Sequence, residues 1–114
     1  MPILLQKKIT NTLQYSALAV SDLDEIWDYF ADECGNIEAA EQTVNTILGS
    51  VESLKEFPEI GTSLNKIIPI ESNYRFLVSG QYLIFYRIEE RYVYIDRIIH
   101  FRRNYISILF GEIS

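Results

Sequence analysis

Apolar positions along the chain change period twice, and the changes divide it into elements. From Ile9 to Tyr15, Ile9, Leu13 and Tyr15 share one face at period two, which predicts a short strand. Ser16 follows where a helix N-cap belongs, able to accept from the free amides of a first turn. Ala19, Leu23, Ile26, Trp27, Phe30 and Cys34 then recur at spacings of three and four, with Asp22, Glu25, Asp28 and Asp32 on the opposite face. This predicts an amphipathic helix with Cys34 as a core position and an acidic, solvated outer side. Gly35 ends it, and Asn36 caps the next helix with Glu38 in its first turn.

The second helical stripe is Ile37, Ala40, Val44, Ile47, Leu48, Val51 and Leu54, and Pro58 stops the run after Phe57. Gly49 inside it costs up to about 1 kcal/mol relative to alanine. The link between the two helices is so short that they form an antiparallel hairpin. Glu59 to Asn73 reads as loop, with Gly61, Pro69 and several small polar residues. Tyr74 to Ser79, Tyr82 to Ile88 and Tyr92 to His100 read as strands joined by tight turns at Ser79-Gly80-Gln81 and Glu89-Glu90-Arg91. The last two strands are almost continuously apolar, so both faces need cover. A helical hairpin covers one, and the other must curve in on itself or meet a partner. The expected order is β-α-α-β-β-β: an α+β domain with an N-terminal strand, a helical hairpin and a three-stranded antiparallel meander. It spans residues 1–114 as a single domain, with 1–8 read as a disordered leader.

Composition narrows the class. The 114 residues are 48% hydrophobic and 23% charged, with five glycines and three prolines, which excludes collagen-like and linker-rich sequence. The longest apolar runs are four or five residues, against roughly 20 needed to cross a bilayer. The first ten residues carry Lys7 and Lys8 but no long apolar stretch, so no signal peptide is readable. The single cysteine, Cys34, fits a reducing compartment, and the expected location is the bacterial cytoplasm. The net charge of −6 is unevenly spread. Asp22 to Glu59 holds eleven acids against Lys55 alone, whereas Tyr74 to Arg103 holds six arginines against Glu89, Glu90 and Asp96. An acidic total opposes nonspecific binding to nucleic acid. The arginine-rich half can still present a local positive surface.

Candidate chemistry lies in that half. One histidine and one cysteine, far apart, offer no metal-ligand pair, and no glycine-rich loop cradles a phosphate, so no metal or cofactor is expected. His100 closes the last strand before Arg102 and Arg103. It is either a strand-end hydrogen-bonding residue or a proton donor and acceptor, beside arginines that stabilise anionic charge. Arg75, Arg87 and Arg97 fall on neighbouring strands. They either converge on one face or pair with Glu71, Glu89, Glu90 and Asp96 at the sheet ends. Tyr74, Tyr82, Tyr86, Tyr92 and Tyr94 are either half-buried core residues with wet hydroxyls or stacking platforms for bases.

Four stretches, taken together and in order, resemble the RelE/ParE family of bacterial type II toxins. The run from Ser16 to Phe30 is similar to the family's first helix. Ala39-Ala40, with Leu54-Lys55-Glu56-Phe57-Pro58-Glu59-Ile60-Gly61, is similar to its second helix and the Phe-Pro-x-x-Gly turn behind it. Tyr74-Arg75 and the run from Tyr82 to Arg87 are similar to the central strands, and Ile95 to Arg103 to the last strand and basic tail. The resemblance covers roughly Tyr15 to Phe110.

It implies the α+β fold above and a cognate antitoxin, a small DNA-binding protein encoded next to the toxin, whose C-terminal segment wraps it. RelE-like members are ribosome-dependent mRNA endonucleases; ParE-like members poison DNA gyrase and serve plasmid stabilisation and growth arrest. The long helical hairpin and the His-x-Arg-Arg ending are closer to ParE, and Lys55 to Tyr74 lacks a lysine cluster. An acidic chain is also a poor ribosome ligand. The implied target-binding residues are Arg75, Arg87, His100, Arg102 and Arg103. In the alternative endonuclease, His100 is the acid or base, and Arg75, Arg87 and Arg102 hold the phosphate. A third possibility is an inactivated homologue that only binds antitoxin. Neither direct DNA binding nor membrane association is expected. Members are usually basic, and the −6 of this chain departs from them.

Overall fold

Ser16 turns the chain from strand to helix in one residue, and this turn organises the N-terminal half. The computed structural model describes residues 10–111; the leader expected at 1–8, and Ile9, lie outside them. Strand β1 is Thr12–Tyr15. Ser16 Oγ then accepts from the Ala19 amide at 2.9 Å and donates to the Asp96 carbonyl at 2.7 Å, capping helix α1, Ala17–Asp28, while tying its start to a distant strand. A π-helical turn over Tyr29–Glu33 continues α1, and Gly35 at φ +62° reverses the chain. Asn36 Oδ1 accepts from the Ala39 amide at 3.0 Å and opens α2, Ile37–Glu52, which closes in a 3-10 turn over Ser53–Lys55.

A two-residue strand β2, Thr62–Ser63, and a 3-10 turn, Leu64–Lys66, lie in the segment expected to be loop. The meander follows as β3, Arg75–Ser79, β4, Tyr82–Glu89, and β5, Tyr92–His100. A short helix α3, Tyr105–Phe110, capped by Asn104, ends the described chain. The sheet order is β1-β5-β4-β3-β2, with β1 parallel to β5 and the other pairs antiparallel. The parallel pair is possible because the hairpin and the rest of the meander form the long crossover it needs.

Two apolar layers result. On one face Ala19, Ile26, Ile47, Val51 and Leu54 of the hairpin pack on Ile84, Tyr86, Val93, Ile95 and Ile98. On the other, Phe85 and Ile99 meet Leu64 and Ile68, with α3 laid across them through Tyr105, Ile106, Leu109 and Phe110. The second face is therefore covered by the chain's own C-terminal helix, with neither a curled sheet nor a partner required for that part. Three expectations are corrected. Cys34 is exposed, not core, because the π turn inserts a residue per turn and rotates the end of the helix out of phase with its apolar stripe. Trp27 stays 36% exposed at the edge of that stripe. Asp22, expected on the solvated face, is 6% exposed.

The Phe-Pro-x-x-Gly turn is held by one tyrosine. Tyr86, fully buried on β4, donates its hydroxyl proton to the Pro58 carbonyl at 2.7 Å and accepts from the Gly61 amide at 2.9 Å. Burial raises its pKa above the usual 10.0, the ionised form being the one excluded from the core. A Cβ on Gly61 would sit 2.4 Å from that hydroxyl and 2.7 Å from the Phe76 carbonyl, so only glycine fits. Gly61→Ala is expected to destabilise the protein by about 1–3 kcal/mol through overpacking. Tyr86→Phe is expected to cost about 1–3 kcal/mol by stranding a buried amide and carbonyl. Urea unfolding of both variants checks this, and the double variant should cost less than the two added together, because the clash and the hydrogen bonds share one hydroxyl.

Candidate functional site

The arginine-rich half takes its geometry from the edge of β5. Strand β1 accompanies β5 only as far as Ile95, where the chain leaves at Ser16 to form α1. Beyond that point the β5 edge would present bare main-chain groups. Asp22, one turn into α1, covers them: its Oδ2 accepts from the Ile98 amide at 2.9 Å and from Arg97 Nε at 2.8 Å. Its Oδ1 accepts from Arg97 Nη2 at 2.8 Å. The bidentate pair is well shielded, with the Asp22 side chain 7% exposed, and hydrogen bonding to Asp22 raises the Arg97 pKa above its ordinary value.

A β-bulge sits at the same place. The register passes from Phe85 opposite Arg97 to Tyr86 opposite Ile95, leaving Asp96 as the extra residue. The bulge aims adjacent side chains at different partners. Arg97 reaches α1, while Asp96 accepts from Arg87 Nε at 2.6 Å. Arg87 also donates to Glu89 Oε1 at 2.9 Å and lies over the Tyr94 ring, 5.1 Å from its centroid. Hydrogen bonding to Asp96 is the main cause that raises the Arg87 pKa. Arg75 donates from Nη1 to the Gly61 carbonyl at 2.8 Å. Tyr74 has its pKa raised first by burial and then by Asp96, whose charge opposes ionisation of the phenol.

His100 stands at the far end of the sheet, opposite Tyr82. Its Nδ1 accepts from the Arg102 amide at 3.1 Å, which places the ring proton on Nε2, 3.1 Å from Gln81 Oε1. A cleft of about 130 Å³ beside it is lined by Glu25, Tyr29, Tyr82, His100 and Arg103, with Asp22 and Ile26 behind. Arg102 stacks over Phe101 at 5.5 Å, and among the described residues no carboxylate pairs with Arg102 or Arg103.

The five arginine and histidine candidates therefore do not form one constellation. His100 and Arg87 are five residues apart along β4 register, about 17 Å at about 3.4 Å per residue. Arg87 shares its face with Phe85, whereas the Tyr82 ring that contacts His100 belongs to the hairpin-side core. His100, Arg102 and Arg103 do come together. Of the pairings weighed for the arginines, Arg87 takes Asp96 and Glu89, but Arg97 takes Asp22, which sequence reading placed in solvent. Its signal was there: Asp22 lies between Ala19 and Ile26 at spacings of three and four, on the buried side of the helix.

Among the described residues no group of His, Cys, Asp and Glu is placed to hold a metal ion, and no helix is long and apolar enough to cross a membrane. Asp22→Ala is expected to cost about 3–5 kcal/mol, since it leaves Arg97 unpaired and the Ile98 amide bare. Replacing both partners by Asp22→Leu and Arg97→Met should recover a large part of that loss in thermal unfolding.

Comparison with known proteins places this geometry. Residues 13–105 match the family described as the ParE toxin of the type II toxin–antitoxin system, parDE. A curated relative, toxin ParE1 of Caulobacter vibrioides, is 32% identical over 89 residues, covering 78% of this chain and 88% of the relative. In fold, the chain is similar to a solved structure of the chromosomal ParDE toxin–antitoxin system from P. aeruginosa, with a TM-score of 0.65 and 24% identity. That match covers 82% of this chain and 98% of the other. With the family match running from the first strand to the start of α3, the chain belongs to the ParE toxins of type II toxin–antitoxin systems.

Proposed function

We propose that this protein arrests growth by poisoning DNA gyrase and is neutralised by a cognate antitoxin encoded beside it. The observation that carries the choice of target is the dispersal of the would-be nuclease set. Arg87 and His100 are about 17 Å apart along the strands. Arg87 is held by Asp96 and Glu89, and Arg75 by a main-chain carbonyl. Acid–base cleavage of one phosphodiester needs the proton carrier and the anion-stabilising groups within hydrogen-bond reach of the same few atoms. A protein target needs no such convergence. It needs exposed, unneutralised groups on a rigid frame, and Arg102 and Arg103 at the end of β5 are of that kind. Membership of the ParE toxins supports the same reading, as does the acidic hairpin, which opposes docking on ribosomal RNA.

The residues proposed to meet gyrase are Arg102 and Arg103, with His100 fixing the turn that carries them through its bond to the Arg102 amide. Arg75 and Arg87 support the sheet behind them. Purified toxin is expected to inhibit gyrase supercoiling and to leave mRNA on translating ribosomes intact. Supercoiling unaffected at high toxin excess overturns the proposal, and cut mRNA would favour the endonuclease. Charge reversal of Arg102 and Arg103 together should raise the inhibitory concentration by about tenfold or more, with the thermal midpoint unchanged.

A further inference from the structure

Consecutive amides fix the chain where it leaves β5. Phe101 donates to the Gln81 carbonyl at 2.8 Å, Arg102 to His100 Nδ1 at 3.1 Å, and Arg103 to the His100 carbonyl at 3.0 Å. Tyr105 then donates to the Arg103 carbonyl at 2.9 Å and leads into α3. With these donors committed inside the fold, the turn has little conformational freedom left to lose.

The side chains interlock as well. The Phe101 ring stacks on His100, with centroids 5.0 Å apart and planes at 24°, and the Arg102 guanidinium lies 5.5 Å from its centroid. His100 is set in turn by Tyr82, edge-on at 5.4 Å, and by Gln81 Oε1, 3.1 Å from Nε2. Phe101 nevertheless stays 47% exposed. Exposed apolar side chains are ordinary on a protein surface, and Phe57 and Val78 are others in this chain. Phe101 differs from them in its company. It stands beside Arg102 and Arg103, with which no carboxylate pairs among the described residues. A rigid aromatic ring beside unneutralised guanidinium groups combines the residue types that dominate interface energies, and its ordering precedes binding.

We infer that Phe101 is the apolar anchor of the target-binding surface, entering an apolar pocket on the target whose rim carries carboxylates for Arg102 and Arg103. The inference rests on the reading of those arginines given above and adds what the target must offer. Burial of the ring supplies affinity, while the guanidinium groups supply attraction and orientation. The chain's own charge of −6 repels an acidic surface, but physiological salt screens that repulsion beyond about 8 Å, and the contact pairs lie within it. Ring surface already stacked on His100 and Arg102 is closed to a nucleobase, so a protein pocket is the better occupant.

Phe101→Ala should raise the toxin concentration that half-inhibits gyrase supercoiling by about tenfold or more, with the thermal midpoint unchanged. That loss should be the same at low and high salt, whereas the loss from charge reversal at Arg102 and Arg103 should shrink as salt rises. Phe101→p-benzoylphenylalanine should cross-link to gyrase under ultraviolet light, and the same replacement at Phe57, no less exposed in the free protein, should not. If wild type inhibits gyrase and Phe101→Ala inhibits equally, loses inhibition only at low salt, or position 101 cross-links no better than position 57, the inference is overturned and the gyrase reading stands. If wild type leaves gyrase untouched, the gyrase reading falls, and growth on induction decides Phe101 instead. Arrest lost with Phe101→Ala upholds the anchor on another target, and arrest kept overturns it. A wild type that arrests nothing removes both.

Discussion

The carboxylate of Asp22 holds the edge of β5 where β1 runs out, and the layout of the sheet follows from it. A parallel edge strand of four residues protects only part of a nine-residue strand. The remaining edge must be met by a side chain or left open to other chains. Asp22 meets it with three hydrogen bonds, to the Ile98 amide and twice to Arg97. A buried carboxylate survives only when its charge and lone pairs are all answered, and here one guanidinium and one amide suffice. The bond from Ser16 Oγ to the Asp96 carbonyl adds a second clamp one turn earlier. Together they dock α1 at one angle to the sheet, and the hairpin follows.

The bulge at Asp96 is the counterpart of that clamp. By letting two neighbouring residues diverge, it gives Arg97 to α1 and Asp96 to Arg87. Arginines that look equivalent in sequence are thereby committed to internal tasks. Carboxylates pair with Arg87 and Arg97 and a main-chain carbonyl holds Arg75, while Arg91, Arg102 and Arg103 stay exposed, the last two together beyond the last strand. The surplus of acids belongs to the hairpin segment, with eleven between Asp22 and Glu59, and one of them, Glu25, lines the same cleft as Arg103.

Tyr86 plays a similar part at the opposite edge. Its hydroxyl bridges Pro58 and Gly61, so the turn leaving α2 is measured against β4 rather than left to its own propensities. That turn delivers β2, which begins only at Thr62, opposite Phe76, and so leaves the outer groups of Val78 open. One edge of the sheet is thus closed by a carboxylate, and the other is closed only halfway.

Local rules were enough for much of this. Period three-and-four stripes, the caps at Ser16 and Asn36, the reversal at Gly35 and the tight turns of the meander are decided by neighbours in the chain, and the amino-acid sequence determined them. The Phe-Pro-x-x-Gly turn and the His-x-Arg-Arg ending, read with the other stretches, also pointed to the RelE/ParE family, and the match over residues 13–105 bears that out. What it left open depends on contacts between distant residues. The burial of Asp22 needed Arg97, 75 positions away, and the parallel pairing of β1 with β5 needed the whole hairpin between them. Cys34 left the core because a π turn, invisible to a fixed period, rotated it outward. Helix α3 was missed because six residues make too short a stripe to read; only the apolar face of Phe85 and Ile99 gives them something to cover. The separation of His100 from Arg87 is of the same kind. Strand register and sheet face, which no single segment encodes, decided that two candidate site residues never meet.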